Sequence, residues 1–298
     1  MKELPPAGWT TRYAPAPTGH LHLGHVLNAL WVWGLARACG GRVLLRIEDH
    51  DRIRSRRELE LDLCEDLAWL GFAADAPAVR QSERGDLYER SLARLAARGL
   101  VYPCACSRRE IAAAGGEDEE LRYPGTCRHG AVDPASTPVR RLRLEREEIL
   151  FEDRLLGRRL QVPAEQCGDL AVRDRDGSWT YQFAVAVDDF EQGVEVVIRG
   201  QDLLASTGRQ IQVAHLLGRS RPPIFLHHAL VLRADGAKLS KARRDEGVRD
   251  LRAAGWTAGR VRAVAARAGG LLADDRTELE VGELPALFDR YGARSARG

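Results

Sequence analysis

Three groups of residues in this 298-residue chain have the types and spacings that chemistry needs. The first is the stretch Arg12 to His25, RYAPAPTGHLHLGH, with His22 and His25 three residues apart. At that spacing two imidazoles can lie on one face of a first helical turn. A Gly-punctuated turn feeding a helix N-terminus offers backbone N–H groups and a favourable dipole, a combination that suits a phosphate. The second group is KLSK at 238–241. Only three of the 45 basic residues are lysines, and two of them, Lys238 and Lys241, fall in this tetrapeptide behind Asp235-Gly236-Ala237. A chain that uses Arg elsewhere wants a compact ammonium here. Together the imidazoles and ammonium groups can grip a triphosphate from two sides. They would stabilise charge developing on an α-phosphate under attack by a carboxylate. The third group is Cys104-x-Cys106 with Cys127 in YPGTCRHG. Three thiolates and one further ligand make a tetrahedral structural zinc site. Ligand chemistry alone nominates His129 as the fourth donor.

These groups need elements to hold them. Thr10–Ala14 reads as a short strand, followed by the Pro/Gly turn and a helix from about Gly24 to Cys39, stopped by Gly40-Gly41. Arg42–Glu48, RVLLRIE, is the near-continuous apolar run of a buried parallel strand. Its end carries EDHDR, at the strand C-terminus where open α/β sheets place ligands. Helices follow at about Arg56–Leu70 and Glu83–Arg98, and strand–helix alternation at this spacing predicts a doubly wound, Rossmann-like sheet. From Val101 to about Asp169 the segments shorten, with an acidic loop at 116–120 and β-like stretches at Val139–Leu144 and Glu152–Val162. This predicts an inserted α+β subdomain. The α/β pattern resumes through Trp179–Phe190, strand Val194–Arg199, helix Ser206–Leu217 and strand Ile224–Leu232. The expected division is therefore 1–100 and 170–241 as two halves of one catalytic domain, 101–169 as the insertion and 242–298 as a helical tail.

Composition sets the outer limits. A net charge of +2 with 44% apolar and 30% charged residues describes a globular protein and neither demands nor excludes nucleic acid. No apolar run approaches the ~20 residues of a membrane helix, and MKELPPAGWTTR has no hydrophobic signal core. A cytoplasmic monomer without membrane contact is expected. Cys39, Cys64 and Cys167 are scattered singly, which argues against a disulfide framework and for a metal at the clustered three. Arg-rich stretches at 140–143, 158–159 and 243–244 are expected to be solvated faces in a chain with 42 arginines.

HLGH at 22–25 resembles the HIGH signature of class I aminoacyl-tRNA synthetases, and KLSK resembles their KMSKS loop. RYAPAPTGHLHLGH, RIEDHD, TYQFAVAVDD and VIRGQDLL are similar to the glutamyl-tRNA synthetase branch, from about Arg12 to Lys241. Only 57 residues follow Lys241, where the full-length enzymes carry an anticodon-binding region. DLLASTGRQ at 202–210, and Val185 where an Asn is expected in full-length members, resemble a shortened branch of the family. That branch attaches glutamate to queuosine in the anticodon of tRNA(Asp). The resemblance implies ATP-dependent formation of glutamyl-adenylate, with Mg2+ accompanying ATP. It assigns His22, His25, Lys238 and Lys241 to catalysis and His22, Gly24, His25 and Lys241 to ATP. It assigns Arg12, Ala16, Glu48, Tyr181 and Arg199 to L-glutamate: Arg for carboxylates, Glu48 for the ammonium, Tyr181 for a carboxylate oxygen. Ala16 stands where the family usually has Ser, removing one hydrogen bond worth roughly 0.5–1.5 kcal/mol. For zinc, the resemblance implies Tyr123 as the fourth ligand beside Cys104, Cys106 and Cys127. The competing expectations are a shortened enzyme charging a tRNA 3′ end and a nonenzymatic paralogue that binds RNA or glutamate.

Overall fold

The computed structural model of the protein describes residues 4–51, 53–115, 121–231, 246–273 and 275–291. The N-terminal turn lies between β1 (Thr10–Tyr13) and α1 (Leu23–Cys39), which ends at Gly40 with φ 69°. α1 is buried on nearly every face from Val26 to Ala36, as an all-round apolar helix must be. The chain continues through β2 (Arg42–Ile47), α2 (Arg57–Trp69), β3 (Val79–Arg80) and α3 (Gly85–Ala97). β1, β2 and β3 form one parallel sheet in that order.

Next come β4 (Val101–Pro103), α4 (Arg108–Gly115), β5 (Arg140–Leu142), β6 (Ile149–Asp153), β7 (Gly157–Gln161), α5 (Pro163–Gln166) and β8 (Leu170–Arg173). They lead into α6 (Tyr181–Glu191), β9 (Val196–Gly200), α7 (Thr207–Leu216) and β10 (Ile224–His228). After the residues that are not described come α8 (Val248–Ala253), α9 (Ala258–Ala268) and a 3-10 helix over Val281–Tyr291. β4, β5 and β8 make a small antiparallel sheet. The second expected β stretch of the insertion turns out differently. It is a hairpin, β6–β7, and β6 pairs in parallel with β10, giving a sheet of order β7-β6-β10-β9. Its apolar alternation explains why: Ile149 and Phe151 pack with Val194, Val197 and Phe225 in one core. By its hydrogen bonds this hairpin therefore joins the sheet of the second half.

The two parallel sheets abut where Glu195 N–H donates to the Thr10 carbonyl at 2.9 Å, placing β9 beside β1. From β1 the chain winds one way through α1 to β2; from β9 it winds the other way through α7 to β10. The crevice at the C-terminal ends of β1 and β9 is thus a topological switch point, the usual ligand position in such folds. The tail packs against α1: Phe288 and Leu284 are buried in the main core, and the Phe288 ring lies 5.0 Å from Trp31 of α1. No described helix is long and apolar enough to cross a membrane.

Candidate active site

The turn between β1 and α1 is tied to itself by its histidines. His22 is the N-cap of α1, and its Nδ1 accepts the Gly24 N–H at 3.1 Å. In return the His22 backbone N–H donates to His25 Nδ1 at 3.2 Å. This is a capping box made of imidazoles, with ring centroids 3.9 Å apart. With both Nδ1 atoms accepting, each neutral ring carries its proton on Nε2. A Cβ at position 24 would meet the His22 ring at 3.0 Å, so Gly24 is what lets the imidazole lie over the backbone. Tyr13 fixes the turn from β1, its hydroxyl donating to the His25 carbonyl at 3.1 Å. Within the turn the Ala16 carbonyl accepts the Thr18 N–H at 2.9 Å. Lys238 and Lys241 lie outside the described residues. The chain that follows them returns to this turn, where Val248 N–H donates to the Leu21 carbonyl at 2.7 Å and Gly247 bridges His22.

Behind the turn, the residues expected to hold an amino acid come together from four elements. Arg12 from β1, Glu48 just past β2, Tyr181 at the start of α6 and Arg199 on β9 all bear electrostatically on one another. Arg12 and Arg199 are only 4% and 3% exposed, so neither is a surface arginine. Arg12 Nε–H donates to Asp189 at 3.0 Å, and Arg46 Nη1 reaches the same oxygen at 2.7 Å. Arg46 also contacts Glu48 at 3.2 Å. Beneath them Asp188 accepts from Gln81 at 2.7 Å, Tyr88 at 2.8 Å and Arg84 at 2.6 Å.

Burial raises the Glu48 carboxyl above the usual carboxylate range, against the pull of Arg46, Arg12 and His50. Burial likewise raises the Tyr181 phenol, with Glu48 adding to it. Asp189 goes the other way: burial would raise it, but Arg12 and Arg46 together hold it below the usual range. Arg199 is the exception in this balanced cluster. Its hydrogen-bond acceptors among the described residues are all neutral: His227 Nε2 at 2.9 Å, Gln210 Oε1 at 2.6 Å and Thr207 Oγ1 at 2.9 Å. Burial lowers its basicity. A buried guanidinium held by neutral groups keeps its charge for an anion.

Sequence reasoning missed Arg46, Asp188 and Asp189 as parts of this site. A signal existed, since TYQFAVAVDD puts two acids on an otherwise apolar helix and RVLLRIE puts one Arg inside a buried strand. Both patterns require buried partners. The Arg-rich stretch at 140–143 also departs from expectation. Arg141 is buried, and Arg140, Arg141 and Arg143 donate to the carbonyls of Thr137, Asp169 and Gly99, so they brace the insertion.

The cysteine cluster sits on the small antiparallel sheet. The thiols of Cys104, Cys106 and Cys127 lie within 4.8 Å of one another, a group able to hold a metal ion. The Tyr123 hydroxyl is 3.5 Å from Cys104 Sγ and 3.9 Å from Cys106 Sγ. Metal–sulfur bonds of about 2.3 Å give tetrahedral edges of about 3.8 Å, and the Cys106–Cys127 separation of 3.5 Å and the Tyr123 distances to Cys104 and Cys106 are close to that value. His129 is exposed and stands outside the group. Burial raises the Cys106 thiol to about 11. Burial pushes Cys127 the same way, but the Ala105 N–H and the neighbouring Tyr123, Cys106 and Cys104 bring it down to about 7. A groove of about 1260 Å³ runs from Tyr181 and His50 to Cys106 and Tyr123, lined between them by Arg108, Arg175 and Arg209.

The profile of the family described as tRNA synthetases class I (E and Q), catalytic domain, matches residues 9–269. The chain is 45% identical over 236 residues to a glutamyl-Q tRNA(Asp) synthetase of Cupriavidus metallidurans, covering 77% of this chain and 76% of that one. It is 40% identical over 284 residues to a protein of the same name from Nitratidesulfovibrio vulgaris, covering 88% and 87%. A crystal structure of glutamate-tRNA synthetase from Elizabethkingia anophelis superposes with a TM-score of 0.77 at 26% identity. That match covers 95% of this chain and 66% of the other, so the chain spans about two-thirds of that solved structure's length.

Proposed function

Because the chain belongs to the class I tRNA synthetases of the glutamate and glutamine group, we propose that it activates L-glutamate with ATP and passes glutamate to queuosine in the anticodon of tRNA(Asp). A carboxylate oxygen of glutamate attacks the α-phosphorus of ATP. The bond to the bridging oxygen breaks, and pyrophosphate leaves with the electron pair. A hydroxyl of queuosine then attacks the carbonyl carbon of glutamyl-adenylate and gives up its proton, and AMP leaves.

The observation that carries the glutamate reading is Arg199, buried at a sheet switch point and hydrogen-bonded among the described residues to neutral groups alone. Arg12 and Arg199 divide the two carboxylates between them, bidentate recognition being what a guanidinium does best. Glu48 takes the α-ammonium, whose charge would favour the ionised carboxylate against the upward push of burial. The Tyr181 hydroxyl donates to a carboxylate oxygen. His22 and His25 present Nε2–H groups to the phosphates at the start of α1, with Lys241 stabilising the developing charge and Lys238 supporting its loop. Magnesium would accompany ATP and neutralise phosphate charge. Cys104, Cys106, Cys127 and Tyr123 would hold zinc, which pins the insertion. The groove between the two centres, lined by both arginines and aspartates, would take the anticodon nucleoside, with Arg108, Arg175 and Arg209 towards its phosphates.

ATP–pyrophosphate exchange with glutamate, run without tRNA, tests the activation step. Exchange dependent on glutamate is the expected result, and its absence would sink the assignment to the queuosine branch. Transfer is tested with tRNA(Asp) bearing or lacking queuosine: label should enter the anticodon loop of the modified tRNA only. Label on a terminal adenosine would identify a 3′-charging enzyme instead.

A further inference from the structure

Arg199, His227 and Asp153 form a row across three adjacent parallel strands. Arg199 on β9 is the register partner of His227 on β10, and β10 is flanked on its other side by β6, which ends at Asp153. Asp153 and His227 are completely buried. His227 Nδ1 lies 2.6 Å from Asp153 Oδ2, and its Nε2 lies 2.9 Å from Arg199 Nε. Asp153 Oδ1 meanwhile accepts the N–H groups of Leu155 and Leu156, each at 2.9 Å, closing the β6–β7 turn.

The donors and acceptors along this row allow one proton arrangement. Arg199 Nε can only donate, so His227 Nε2 must be the bare, accepting nitrogen. The Thr207 hydroxyl agrees: it accepts from Arg199 Nη2 at 2.9 Å and lies 3.2 Å from His227 Nε2, to which its own proton can go. The ring proton therefore sits on Nδ1, where the Asp153 carboxylate accepts it. Burial and the nearby Arg199 and Arg12 charges keep this ring neutral, with Asp153 pulling the other way. Thr207 and Gln210 of α7 face the same guanidinium and carry no charge.

We propose that His227, held in its Nδ1–H form by Asp153, is a positioning residue that sets the plane and rotation of the Arg199 guanidinium for the substrate carboxylate. The proposal rests on the reading above that Arg199 takes a carboxylate of glutamate. It also explains why the β6–β7 hairpin belongs to this sheet, since its terminal carboxylate fixes a histidine tautomer and the tautomer fixes the binding cation. The logic matches that of a carboxylate orienting an imidazole in hydrolytic triads, with a guanidinium in place of a nucleophile.

The test is ATP–pyrophosphate exchange on the full chain, with KM for glutamate and for ATP measured separately. Arg199→Ala comes first: an unchanged KM for glutamate would remove Arg199 from carboxylate binding, whatever His227 does. His227→Asn keeps a donor towards Asp153 but removes the acceptor facing Arg199. It should raise KM for glutamate by roughly 10- to 100-fold and leave KM for ATP unmoved, a split that general loosening of the fold would not give. His227→Gln places an oxygen near the former Nε2 and should recover most of that loss. Asp153→Asn should resemble His227→Asn, because one amide cannot accept from both the turn N–H groups and the ring. Equal KM values for the Asn and Gln variants overturn the proposal. So does a wild-type KM in both His227→Asn and Asp153→Asn while Arg199→Ala is defective. Nitrogen NMR of the histidine-labelled wild-type chain reads the tautomer without any variant. A proton on Nδ1 is expected, and a proton on Nε2 of His227 would refute the mechanism.

Discussion

The two polar centres of this chain are assembled in opposite ways. The cysteine cluster draws its thiols and phenol from Cys104 to Cys127, one short stretch on a three-stranded antiparallel sheet. The switch-point pocket takes Arg12, Arg46 and Glu48 from one half of the chain and Asp188, Asp189 and Arg199 from the other. Its ion pairs close loops of 177 and 143 residues. The first centre is a local device that needs its own sheet. The second exists only when both halves of the doubly wound sheet are in register, because each half supplies charges that the other must neutralise. Damage to the pocket should therefore reach the whole fold, whereas damage to the cluster should stay in the insertion.

Asp189→Ala is the strongest way to break that contrast. It leaves Arg46 with Glu48, Asp188 and Gln192, but among the described residues leaves Arg12 with only the Ile198 carbonyl at 3.5 Å as a hydrogen-bond partner. Removing one partner of a buried ion pair costs about 3–5 kcal/mol. The urea midpoint of the whole chain should fall accordingly, and saturation by glutamate should be lost with it. A chain as stable as the parent would mean that the two halves do not depend on this carboxylate.

The next largest effect concerns the cluster. Cys106→Ser, or a chelator applied to zinc-loaded protein, should speed amide hydrogen exchange in β4, β5 and β8. Glutamate-dependent exchange without tRNA should stay within about two-fold of the parent, as for sites that share no partners. A parallel collapse of both readouts would show that the groove joining the centres also couples them.

The same contrast decides what the sequence could reveal. Cysteines at 104, 106 and 127 mark a group able to hold a metal by spacing alone, because all three are local. Tyr123 is named only by the family resemblance, whereas ligand chemistry points to His129. The first turn of α1 was equally legible, since its capping residues, His22 and His25, are three apart. The partners of Arg12 and Arg199 were not. Nothing local to Arg12 names Asp189, and nothing local to Arg199 names His227, because strand order brings them together. The β6–β7 hairpin failed for the same reason: its apolar alternation is clear, but its neighbour in the sheet is set by β10, more than 60 residues on. The family resemblance supplied Arg12, Glu48, Tyr181 and Arg199 where periodicity could not. It left out the residues that orient them.

The smallest expected effect is also the most specific to the pocket. Burial raises the Glu48 carboxyl, so the free protein holds that proton to a higher pH than an exposed glutamate would. Recognition of the α-ammonium needs the carboxylate. Affinity for glutamate should therefore increase as pH rises through the Glu48 value, by at most about tenfold per pH unit, and become flat above it. Stability has the opposite sign. A raised native value contributes stability that is fully present below the ordinary carboxylate range and is lost as pH rises through the native one. Through Glu48 alone, acid conditions thus favour the fold while weakening the ligand. Asp189 and Asp153, held below the usual range, act on the fold in the opposite sense. Calorimetry of glutamate binding in buffers of different ionisation enthalpy should detect proton release on the acid side, fading to none at higher pH. Glu48→Gln should bind glutamate more weakly and abolish that release, which separates Glu48 from the titration of the ligand's own carboxyl groups. The cysteine cluster provides the control: Cys106→Ser should leave this proton linkage unchanged, because the main influences on Glu48 are its burial and the charges of Arg46, Arg12 and His50. Proton release that persists in Glu48→Gln would move the ammonium site to another group and leave Glu48 as a partner of Arg46 alone.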